Sequence, residues 1–87
     1  MDDQDFLHQM RAKIERLTGK EVQIQITEAE ESHLAVELSG ATPWVTLGSG
    51  VFKYPGFARM AVEYAVACIR QERNIEWLEF QVMLQRN

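Results

Sequence analysis

Apolar positions recur along this chain with two different periods, and the changes of period divide it into six elements. Phe6, Leu7, Met10, Ile14 and Leu17 share one stripe at helical spacing. Asp2, Asp3 and Asp5 precede that stripe, Lys13 and Arg16 lie towards its end, and Gly19 follows. This is the charge order and stop of an amphipathic helix capped by Asp2 or Asp3. From Glu21 to Thr27 the period falls to two, with Val22, Ile24 and Ile26 on one face and Gln23 and Gln25 on the other, as in a half-exposed strand. A polar turn, Glu28 to Ser32, leads to a second alternation at Leu34, Val36 and Leu38, and the pair is expected to form an antiparallel hairpin.

Gly40-Ala41-Thr42-Pro43 interrupts the alternation before Trp44-Val45-Thr46-Leu47, a third short strand with proline at its leading edge. The glycine-containing loop Gly48 to Tyr54 follows. Proline disfavours helix at the residue before it and suits a first helical turn, so a second helix is expected to open at Pro55 or Gly56 and to end near Asn74. At 100° per residue its charged residues, Arg59, Glu63, Arg70 and Arg73, form a narrow stripe, and the apolar arc covers more than half the circumference. Such a helix is expected to be covered from more than one side. Ala58, Ala61 and Ala65 leave a flat strip for close packing against a sheet, with a helix pair across a dimer as the second reading.

From Ile75 to Gln85 large apolar residues scatter on a helical wheel but align as a strand, with Leu78, Phe80, Val82 and Leu84 on one face and Ile75, Trp77 and Met83 on the other. The expected fold is α+β, one domain over residues 1–87 in the order α-β-β-β-α-β. It would form a small, mainly antiparallel sheet with two helices packed on one face.

Composition narrows the function. A chain of 87 residues with 46% hydrophobic and 25% charged residues is an ordinary globular domain. Its net charge of −4 works against general nucleic-acid binding. The one cysteine, Cys68, rules out an internal disulfide and fits a reducing compartment. The acidic start lacks the basic character of a signal peptide, and no apolar run reaches the ~18 residues of a membrane span. The expectation is a cytoplasmic protein without membrane contact.

Candidate chemistry is concentrated in one interval. Between Glu37 and Glu63 there is no acid, and the charges present are Lys53 and Arg59. A glycine loop entering a helix N-terminus beside two cations is a recipe for holding an anion, so Gly48, Ser49, Gly50, Lys53 and Arg59 form a candidate ligand site. The spacing matches neither the phosphate-binding P-loop nor Gly-x-Gly-x-x-Gly, since Lys53 stands where the third glycine belongs. The order helix, three antiparallel strands, helix is similar to that of double-stranded-RNA-binding domains, which set lysines at the start of their second helix against phosphates. Only Lys53 and Arg59 stand near that end here, so the likeness covers no motif and nucleic acid ranks last among the partners considered.

No catalytic constellation can be named. His8 falls on the polar face of the first helix, His33 stands apart from it, and Cys68 lies in an apolar arc, where it reads as a small core residue. The glutamates of the 28–32 turn lack calcium-loop spacing, and no metal or cofactor is implied. The leading expectation is therefore a non-enzymatic interaction module, a homodimer or a partner of another protein. Its apolar surplus at Trp44, Phe52, Tyr54, Trp77 and Met83 would form the interface. A small-ligand domain using the 48–56 loop is the alternative.

Overall fold

The computed structural model of the protein describes residues 3–79. Its elements are α1 (Asp3–Thr18), β1 (Gln23–Thr27), β2 (His33–Glu37), β3 (Trp44–Gly48), a 3-10 turn (Ser49–Phe52), α2 (Pro55–Gln71) and β4 (Ile75–Glu79). The α-β-β-β-α-β order expected from the sequence is present.

Helix α1 starts with Asp3 and Asp5 in its first turn and ends where Gly19 takes φ 72°, its N–H bonded to the Glu15 carbonyl at 2.8 Å. Met10 and Ile14 are buried and Phe6 packs against the core beside them. Helix α2 opens at Pro55, where a proline loses no helical hydrogen bond, and closes through Glu72 in the left-handed region at φ 54°. That stop falls short of Asn74, because Asn74 has another task. Its Oδ1 accepts the Leu38 N–H at 3.0 Å, tying the approach to β4 onto the end of β2.

The sheet runs β1-β3-β2-β4. β3 pairs antiparallel with β2 and parallel with β1, and β4 pairs antiparallel with β2. Two of the three pairings are antiparallel, and the sheet is mixed. The expected β1–β2 hairpin is therefore replaced by a different arrangement, in which β3 occupies the slot between them. The cause is the pair of central apolar faces. Val45 and Leu47 are buried beside both Ile24 and Ile26 of β1 and Val36 and Leu34 of β2, so β3 fills the middle of the sheet and covers both neighbours.

A second correction concerns β4. Simple alternation assigns Ile75 and Leu78 to opposite faces, yet both pack against the core. Ile75 pairs with Val36 and Leu78 with Leu34, so Glu76 and Trp77 together stand against Ala35. This β-bulge absorbs one residue and brings Ile75 onto the face of Leu78. The positions expected to continue this strand, Phe80 to Gln85, lie outside the described residues.

Both helices lie on the face bearing Leu34, Val36, Val45 and Leu47. Helix α2 touches α1, the 3-10 turn and β2, which accounts for its wide apolar arc. Ala58, Ala61 and Ala65 are all buried within the chain, as close packing on a sheet requires. Ile14, Val22, Leu34, Val36, Val45, Leu47, Val51 and Ile69 are under 2% exposed, each contributing about 1.5–3 kcal/mol by burial. No polar or charged residue is buried among the described residues.

Candidate functional site

The connection from β1 to β2 decides what the glycine loop is for. β1 and β2 run in opposite directions with β3 between them, so residues 28–32 must cross over the end of β3, which is Gly48. A Cβ added to Gly48 would collide with the backbone carbonyls of Glu30 and Glu31, and one on Gly50 would lie 2.8 Å from the Glu31 oxygen. Gly50 N–H in turn donates to that oxygen at 2.9 Å. Glycine is required here by the close passage of two backbones.

The same crossing supplies the acid that the 38–62 interval lacks. The carboxylate of Glu31 accepts a hydrogen bond from Lys53 Nζ at 2.5 Å, and this bond, with the attraction of the two charges, holds the Lys53 ammonium above its ordinary range. Lys53 N–H and Tyr54 N–H both donate to the Gly50 carbonyl at 3.0 Å, closing the 3-10 turn. Arg59 is highly exposed and lies 3.8 Å from Glu63 on its own helix. Each cation of the candidate anion site thus faces a carboxylate, and Ser49 is a half-buried first residue of the 3-10 turn. Glu31 was the residue sequence reasoning missed. It reads as a solvated turn residue until the strand order is known.

The expected interface residues are distributed over different parts of the surface. Trp44 opens β3 on the side of the sheet that bears neither α1 nor α2, in the alternation of Thr46, and is 44% exposed although its strand is interior. Phe52 and Tyr54 follow the opposite end of β3. The Phe52 ring meets Phe6 of α1 edge to face, centroids 5.5 Å apart, whereas Tyr54 is 54% exposed and leans on Phe57 at 5.0 Å. Trp77 lies in the bulge of β4, and Met83 lies outside the described residues.

On the side away from α1 and α2 Gln25 Nε2 donates to Thr46 Oγ1 at 2.8 Å across the parallel pair. Gln25, Thr27, Ala35, Thr46, Glu37 and Asn74 border an open depression of about 760 Å³ there. Glu30 Oε2 lies 3.5 Å from His33 Nδ1 at the top of β2. Cys68 is buried in α2, and burial pushes its thiol above the ordinary range against the opposing charge of Arg73. His8 is exposed on α1. Among the described residues no group of three His, Cys, Asp or Glu side chains is placed to hold a metal ion, and no helix is long and apolar enough to cross a membrane.

Comparison of the chain with known protein families, with curated proteins and with solved structures finds no match. The parallel β1–β3 pair also separates this fold from the all-antiparallel strand arrangement of the RNA-binding domains to which its element order is similar.

Proposed function

We propose that the protein is a small non-enzymatic, cytoplasmic interaction module that associates with itself. One observation carries the reading: α1 and α2 both pack on one face of the sheet, so the other face bears neither of them and holds an exposed tryptophan on an interior strand. A tryptophan on a central strand is normally covered, and a half-exposed one at a flat polar surface is the composition of an interface anchor. The sheet surface, face and edges together, is the contact region. The anion-site reading has no comparable support, because Glu31 already occupies the Lys53 ammonium.

Sedimentation velocity of the full chain over a concentration series is the test. The expected result is a mass that rises from monomer to dimer, and an unchanging monomer mass at high micromolar concentration would remove the reading.

A further inference from the structure

Rows of backbone amides at sheet edges invite pairing with another chain, and proteins blunt them with bulges, prolines, lysines or very short strands. β4 is blunted: it carries the bulge opposite Ala35 and the acids Glu76 and Glu79. β1 has neither bulge, proline nor lysine in Gln23–Thr27. Among the described residues it also has no strand on its outer side.

The direction of the β1 amides follows from one hydrogen bond. Gln23 N–H donates to the Pro43 carbonyl at 2.9 Å, one residue before its register partner Trp44, the pattern of a parallel ladder. Gln23, Gln25 and Thr27 therefore direct their backbone groups at β3, while Val22, Ile24 and Ile26 direct theirs outwards. Val22 N–H is already taken by Glu15 Oε2 at 3.1 Å. Ile24 and Ile26 remain.

We infer that the outer edge of β1 is the self-association site, where it pairs antiparallel with β1 of a second copy about a two-fold axis through Gln25. The inference rests on the self-association reading and assigns the part of its contact region that the sheet edge supplies, the Trp44 face lying outside this strand pair. This register is the one that sets both outward residues of one copy against both of the other: Ile24 faces Ile26 of the second copy and the reverse, giving four backbone hydrogen bonds. Gln25 faces itself across the axis and Gln23 faces Thr27. Gln23–Thr27 carries no charged residue, so no two like charges meet within the pair. A two-fold axis normal to the sheet also keeps both pairs of helices on one side, so the half-buried Ile24 and Ile26 of the two copies cover one another beneath the two α1 helices. The product joins the four described strands of each copy into one continuous sheet, and the face away from α1 and α2 bears both Trp44 side chains.

A single strand pair is a small contact, so the dimer is expected to dissociate at micromolar concentrations. Gln25 is exposed on the face away from α1 and α2, so charging it leaves the core intact. Gln25→Lys and Gln25→Glu each place like charges across the axis and should each raise the dissociation constant about fivefold, the effect of ~1 kcal/mol. Mixing the two variants should restore association as a heterodimer. In the unaltered chain the Ile24 and Ile26 amides should gain exchange protection as concentration rises. A dimer indifferent to both charges, without that protection, would overturn the edge assignment while leaving self-association standing. A monomer throughout would remove both.

Discussion

Glu31 and Lys53 stand 22 positions apart in the chain and share a hydrogen bond of 2.5 Å, made where the β1–β2 connection crosses the end of β3. The folded protein holds the Lys53 pKa above its ordinary 10.5. A group that binds its proton more tightly when folded contributes stability that is fully present below the unfolded pKa and disappears as pH rises through the folded one. The melting temperature of a Lys53→Met variant should therefore fall slightly below that of the parent at pH 7 to 9, and the difference should close above pH 10.5. Because the pair is exposed, molar salt should also shrink it. A difference that grew with alkaline pH would assign the effect to something other than this pair.

Gly48→Ala tests the crossing itself. The added methyl meets two carbonyl oxygens of the backbone, neither of which can turn away as a flexible side chain would. A loss of at least about 2 kcal/mol is expected in urea unfolding. Gly40→Ala, with nothing within 4 Å of its new carbon, should stay within about 0.5 kcal/mol. Equal behaviour of the two would mean that the passage is wider than described.

Glu72 is the one described residue other than glycine with a positive φ. Its backbone occupies the position at which helices most often place glycine, with Arg73 N–H returning to the Cys68 carbonyl at 3.0 Å. Glu72→Gly should raise stability by up to about 1 kcal/mol through relief of the left-handed strain. Chemical denaturation reads this directly, and a clear loss would show that the Glu72 side chain matters more than its backbone.

Cys68 should behave as a core methyl-sized group with a hidden thiol. Burial disfavours its thiolate, so labelling by an aromatic disulfide reagent at pH 8 should be slow in the native protein and fast in denaturant. Stoichiometric labelling within the mixing time under native conditions would contradict its place in α2. Stability linked to this thiol is present below the ordinary pKa of 9.0 and declines as pH rises above it, the folded value being the higher.

What could be read from the chain was whatever depends on neighbours in sequence. The stripe at Met10 and Ile14, the stop at Gly19, the start at Pro55 and the wide arc of α2 all follow from local spacing, and each is present. The hairpin between β1 and β2 was illegible for a physical reason: two alternating strands joined by a short polar turn look the same whether they pair directly or admit a third strand between them. Val45 and Leu47 decide it by burying against both sides, and alternation carries no record of that. The same gap hid Glu31. An interval without acids looked like a place for an anion, because the carboxylate that fills it arrives across the fold. At β4, one extra residue in the bulge was enough to move Ile75 to the other face.

The interleaved strand order also imposes an order in time. β2 and β3 are joined by one short connection and can close on each other at little entropic cost, while β1 has no partner until β3 exists. During synthesis β1 is the first strand made and the one that waits longest. For that interval both of its edges are bare, and the alternation that suits it to the sheet suits it equally to another nascent copy. Slow translation through residues 28–43 would lengthen the wait, so chaperone dependence and aggregation during expression should respond to the pace at which this stretch is made.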